Sequence, residues 1–172
     1  MPVDETDRAA ELIAALKLQP HPERGFFVET YRAPLAVDHL PDGRPARAAS
    51  TAIYFLVTRA QPTTFLHRLR RSDELFHLYE GGPLDVLLLR EGDAGEVRRL
   101  GTNLAAGERP QLVIPAGTWF AVELATTAPH CLFGCTVAPG FDFADFELAA
   151  GPELAARFPA HADRIARMTR MP

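Results

Sequence analysis

Apolar residues fall at helical spacing near the start of the chain. Ala9, Leu12, Ile13 and Leu16 form one stripe within residues 4–18, and Asp4, Glu5 and Asp7 stand where a helix N-terminus favours negative charge. One amphipathic helix is expected there, and Pro20 and Pro22 end it. The period then changes. FFVETY at residues 26–31 opens a series of short runs that continues from Ser50 as STAIYFLVT, TTFLHRL, ELFHLYE, LDVLLLRE, EVRRLGT, QLVIPAG, TWFAVELA and HCLFGCTVA. Each is about four to nine residues long, rich in β-branched and aromatic residues and bounded by Gly, Pro, Asp or Asn, so each reads as a strand. No helical run separates them, which excludes a parallel βαβ sheet and favours an antiparallel sandwich or barrel. A last extended segment, FDFADFEL at residues 141–148, brings Phe141, Phe143 and Phe146 to one end of that barrel. Helical signals return at 152–158 and 162–168. Residues 33–48 hold Pro34, Pro41, Asp42, Gly43 and Pro45 and read as a mobile surface loop with a turn at Asp42-Gly43.

Composition narrows the class. The 172 residues carry 18 basic and 22 acidic side chains, a net charge of −4, with 47% hydrophobic residues. A core can form, and the charge disfavours binding to nucleic acid. No run approaches the roughly 18 apolar residues of a membrane span, and the acidic start MPVDETDRAAEL is unlike a signal peptide. A cytoplasmic protein without membrane attachment is expected. The 15 prolines and 12 glycines act as punctuation at short intervals. Cys131 and Cys135 share a strand face about 13 Å apart, too far for a mutual disulfide, and read as small buried hydrophobes.

The densest polar constellation runs from His67 to His77. Strand alternation sets His67 with Leu69 and turns Arg68 and Arg70 the other way. Glu74 shares a face with Phe76, and Leu75 with His77. Each pair holds one apolar residue, so alternation alone does not decide which pair points inward. The reversal at Pro115-Ala116-Gly117 sets Trp119 or Phe120 at the barrel mouth, with Gln111 ahead of it as a donor to a ligand or a strand cap. Tyr54, within AIYFLV, places its hydroxyl either in the cavity or in packing. Glu23, Glu29 and Arg32 either reach the pocket or pair with one another.

Several motifs carry a resemblance. They are LxPHPERGFFxETYR at residues 18–32, STAIYFLV at 50–57, FLHR and SDELFHLYEG within 65–81, VIPAGTWFA at 113–121, and GCTVAPGFDFADFEL at 134–148. On these the chain resembles the cupin superfamily and, within it, the DUF985 (cupin_5) family. The resemblance implies an all-β fold: a single-domain cupin double-stranded β-helix, or jelly roll. Its N-terminal helix would span about residues 4–18, its barrel about 26–148 and its short C-terminal helices about 152–169. It also implies a homodimer. His67 matches the first metal-ligating histidine of the cupin pattern and Glu74 its glutamate, but Leu69 and Phe120 stand where the other two histidines belong. Hydrocarbon side chains offer no lone pairs, so no metal or other cofactor is expected. A set of His67, Glu74 and His77 would be incomplete.

By analogy with metal-free epimerases of the superfamily, the expected function is isomerisation or epimerisation of a small sugar-like metabolite. His67 would be the base and Glu74 the acid or orienting group, with His77, Gln111, Trp119, Phe120 and Tyr54 lining the ligand pocket. The alternatives are a small-molecule binding or sensing module without catalysis, and a metal-dependent cupin enzyme.

Overall fold

The expected strand runs all form strands, and their antiparallel pairing gathers them into two facing sheets. The computed structural model describes residues 5–125 and 128–170. Helix α1 covers Glu5–Leu16, so Asp4, expected in its first turn, lies outside the described residues. The strands follow in chain order: β1 (Gln19–Pro20), β2 (Phe26–Arg32), β3 (Ala36–Val37), β4 (Arg47–Ala48), β5 (Thr51–Thr58), β6 (His67–Leu69), β7 (Asp73–Gly81), β8 (Leu84–Leu89), β9 (Glu96–Leu100), β10 (Gln111–Ile114), β11 (Trp119–Leu124), β12 (His130–Ala138) and β13 (Phe146–Leu148). The chain then closes with α2 (Gly151–Arg157) and α3 (Ala162–Arg167). This is the jelly roll with helices at both ends.

One sheet has the order β1-β2-β5-β12-β7-β10 and the other β13-β6-β11-β8-β9. Their inner faces close on a core that includes Phe55, Phe76, Val86, Leu88, Phe120, Val122 and Phe133. Helices cover the outer faces. Leu12 of α1, with Leu18, packs on Leu56 and Leu132 of the six-stranded sheet. Leu154, Phe158, Ile165 and Met168 of the C-terminal segment cover Leu66, Leu87, Leu89 and Ala121 of the other sheet. Arg164 and Arg167 pin that segment through Asp85 and Glu123 at 3.1 Å each.

The segment expected to be a mobile loop is instead tied down. It forms the β3–β4 ribbon, and beside that ribbon Arg44 and Arg47 are buried on a single carboxylate, Asp145, at 3.0 and 3.1 Å. Arg44 also donates to the Arg71 carbonyl at 2.8 Å. Charge-assisted bonds of this kind are stronger than neutral ones. FDFADFEL differs from expectation too: residues 143–145 make a 3-10 turn, started by the Asp142 side chain accepting from the Ala144 amide, before β13 resumes pairing with β6.

Candidate functional site

Between the sheets lies a cavity of about 400 Å³. Its floor is built by four segments. On β7, Glu74 and Phe76 face inward, settling the parity that alternation left open. On β6, His67 faces inward and pairs in register with Phe120 of β11, whose ring centroid lies 4.1 Å from the imidazole. On β12, Cys135 faces inward opposite Phe76. The fourth segment is a turn across the barrel end. The His21 amide donates to the Gly25 carbonyl at 3.0 Å and the Phe65 amide to the Glu23 carbonyl at 2.8 Å, which drives the Glu23 side chain into the barrel. Gly25 makes this turn possible. Its φ is +74°, and a Cβ there would lie 2.6 Å from Phe55 Cε1 and 2.9 Å from the Leu56 carbonyl oxygen.

His67 is 4% exposed and has no idle nitrogen. Nδ1–H donates to the Phe65 carbonyl at 2.8 Å, and Nε2 lies 2.8 Å from Glu23 Oε2. Burial alone pushes the imidazole down, but the charge and hydrogen bond of Glu23 override it, with Glu74 and the Phe65 carbonyl adding, and hold it above the ordinary histidine value. Glu74, 8% exposed, is pushed up to about 7 by burial. The His67 charge pulls it down, Glu23 pushes it up, and a hydrogen bond with Cys135 pulls it down. His21, held edge-on against Phe27 at 4.6 Å, is lowered by burial. A carboxyl group that titrates at about 7 and a histidine held above its ordinary value thus face an apolar space.

The cavity mouth is framed by Glu29, Arg32, Asp142 and the rings of Phe141, Phe143 and Phe146. Arg32 grips Glu29 with two bonds, 3.0 and 2.6 Å, and donates to the Phe141 carbonyl at 3.3 Å. Glu29 and Arg32 therefore do both things the sequence left open: they pair and they border the pocket.

Of the seven residues expected to serve catalysis or line the ligand pocket, His67, Glu74 and Phe120 meet at the cavity. The other four do not line it. His77 lies on the opposite face of β7, where Gln111 Nε2 is 3.1 Å from its Nδ1 and the Thr136 hydroxyl 3.2 Å from its Nε2. Gln111 is exposed there. Trp119, one step from inward-facing Phe120, turns outward beneath the Arg68 guanidinium, 4.3 Å from its ring, and packs with the C-terminal helices. Tyr54, between inward-facing Ile53 and Phe55, turns outward against Tyr79 and the α1 cluster. One rule accounts for all four: each has the outward parity of its strand. Sequence reasoning gave no role to His21, and it read Cys135 only as packing.

The sequence matches the family model described as Cupin superfamily (DUF985), Cupin_5, over residues 10–149. The chain belongs to this cupin family. No curated protein matches it. Among solved structures it is similar to a hypothetical protein from Leishmania major, at 31% identity and TM-score 0.85, covering 95% of this chain and 99% of that one. A protein from Shewanella oneidensis is similar at 34% identity and TM-score 0.84, covering 95% and 98%. An uncharacterized Klebsiella pneumoniae protein with a double-stranded β-helix domain shares the fold at 12% identity and TM-score 0.51, covering 86% and 91%.

Metal-binding cupins hold their ion with histidines and a carboxylate, and the donor set of this cupin does not fit that task. Leu69 and Phe120 line the cavity where two of those histidines belong. Both nitrogens of His67 are committed within the protein. His77, which could have enlarged the set, faces away. Among the described residues no group of three or more His, Cys, Asp or Glu is arranged to hold a metal ion.

Proposed function

We propose that this cupin is a metal-independent proton-transfer enzyme of the isomerase or epimerase type, acting on a small molecule inside the barrel. The observation that carries the reading is the cavity floor: a 2.8 Å His67–Glu23 pair beside a second carboxylate, Glu74, all buried against phenyl rings. The division of labour differs from the sequence expectation. His67 was the expected base, but both its nitrogens are engaged, so the group left to meet a ligand is Glu74. A carboxyl group that titrates near neutral pH both takes and returns a proton efficiently.

The chemistry balances. Glu74 as carboxylate takes the proton from a carbon next to a carbonyl, and the C–H electron pair moves into the new C–C double bond as the carbonyl π pair moves onto oxygen. The charge that builds on that oxygen is offset in part by His67, whose protonated form Glu23 favours. Glu74 then returns its proton to a neighbouring carbon on the same face, which isomerises the compound, or, once the enolate has turned over in the cavity, to the opposite face of the original carbon, which epimerises it. Glu23 holds His67 charged and in place.

The test is deuterium uptake in heavy water, followed by NMR, with three carbonyl compounds of different character: pyruvate, dihydroxyacetone and 2-tetralone. Exchange above the buffer rate is expected for at least one, and Glu74→Gln should lower it by about 100-fold. Exchange that survives the substitution, or no exchange with any of the three, overturns the reading. Binding without exchange would assign the chain to the second class, a small-molecule binding module.

A further inference from the structure

The walls and charges of the cavity say more about the ligand than its floor does. Its lining includes eight phenylalanines, among them Phe27, Phe55, Phe76 and Phe133 around the interior. The same lining carries the carboxylates Glu23, Glu29 and Asp142, and Glu74 titrating at about 7, against Arg32 and His67 as the groups able to bear positive charge. His21 Nδ1 accepts from the Glu23 amide at 3.3 Å, and burial disfavours its charged form. Both cations are already matched, Arg32 by two bonds to Glu29 and His67 by Glu23. A phosphate or carboxylate entering here meets surplus negative charge and no unmatched cation. A polyol fares little better, because the phenyl walls leave most of its hydroxyls without partners.

We infer that the substrate is an uncharged, mainly apolar carbonyl compound of one or two rings rather than a sugar, a phosphate ester or a carboxylate. This rests on the reading of Glu74 as the proton-transferring group. The body of such a compound exchanges water for phenyl contacts, and a cavity of about 400 Å³ sits at the small end of ligand sites. Its carbonyl end alone needs polar partners, and the polar groups are gathered at the floor. Glu29 takes a specificity role in this account. By clamping Arg32 it removes from anion binding the guanidinium that, among the described residues, lines the mouth.

The deuterium-uptake series separates this inference from the function it rests on. With each rate divided by that compound's own buffer rate, 2-tetralone should exceed both pyruvate and dihydroxyacetone by about ten-fold or more. If pyruvate or dihydroxyacetone leads while Glu74→Gln still abolishes exchange, the substrate class is wrong and the proton-transfer function stands. If nothing exchanges, the function falls, and the inference falls with it. Calorimetry supplies an independent arm through Glu29→Gln. Freed from its clamp, Arg32 should raise affinity for 3-phenylpropionate by about ten-fold. Wild-type protein that binds 3-phenylpropionate as tightly as 2-tetralone, or a Glu29→Gln variant with no gain for the anion, overturns the inference.

Discussion

Two of the histidine–carboxylate pairs on this barrel, His130–Glu80 and His67–Glu23, have surroundings that give them opposite characters. His130 Nε2 lies 3.1 Å from Glu80, and Glu80 also receives two bonds from Arg8 of α1, each 2.8 Å. The Arg8 hydrogen bonds, helped by His130, hold Glu80 down to about 2. That carboxylate is a permanent charge that clasps α1 to β7. His67 and Glu23 are as close, 2.8 Å, but their neighbours are the Phe120 and Phe146 rings and another carboxylate, Glu74, pushed up to about 7 by burial. Arginine commits a carboxylate to structure, whereas phenyl walls raise it into the range where it takes and loses a proton near neutral pH.

The pH dependence of stability should divide the two pairs, and it is the largest effect expected. Glu74 starts from 4.5 in the unfolded chain and rises to about 7 when folded, so between those values the folded state binds more protons and stability falls as pH rises. The full cost is about 3 kcal/mol. His67, also raised, acts in the same sense: its contribution is complete below 6.5 and lost as pH climbs through its folded value. His21, lowered, acts in the opposite sense below 6.5, so the informative quantity is the difference between wild type and Glu74→Gln. Thermal melting from pH 4 to 8 should show Glu74→Gln losing the decline between about 4.5 and 7. Glu80 runs the other way. Its contribution is present above 4.5 and lost as pH falls toward about 2, so Glu80→Gln should blunt only the acid limb. A Glu74→Gln profile parallel to wild type would remove the distinction.

A second, smaller effect should come from the turn that delivers Glu23. Gly25→Ala must hold a side chain at φ +74° with its Cβ against Phe55, which is 2% exposed and enclosed by the core. The expected loss is about 2 kcal/mol by denaturant unfolding. Because relief requires the 21–25 turn to shift, Glu23 should leave His67 and the exchange activity should fall with it, while the Arg8–Glu80 clasp on the far edge stays. A fully stable Gly25→Ala protein would show that the turn has room the geometry denies.

The fold was legible because alternating apolar runs bounded by Pro and Gly encode strands locally, and the motifs from Leu18 to Leu148 pointed to the cupin family. The ends of the site were legible as well: His67 and Glu74 stood at recognisable positions. What remained hidden was parity and long-range reach. Leu75 and Phe76 are equally plausible inward residues by hydrophobicity, so nothing in ELFH says that Glu74 enters and His77 does not. The choice is made by β12, which sets Cys135 against Phe76 and Thr136 against Leu75. Glu23 reached the floor through a turn held by the Phe65 amide, some forty residues on in the chain, a contact that no local period announces. Asp145 hid for the same reason. Its two arginines, Arg44 and Arg47, come from the segment whose prolines and Asp-Gly turn suggested mobility.

His77 supplies the smallest effect and the sharpest check on parity. It stands only three positions after Glu74 on β7, yet it contacts Gln111 and Thr136 on the far side of the sheet. His77→Ala removes two hydrogen bonds at a half-buried site, for a loss of about 1 kcal/mol. Ligand exchange should stay within about two-fold of wild type, because the sheet backbone lies between this side chain and the cavity. A fall of more than about ten-fold at unchanged fold would mean that the outer face feeds the chemistry after all. The contrast between the two sides of β7 would then have to be redrawn around His77 instead of Glu74.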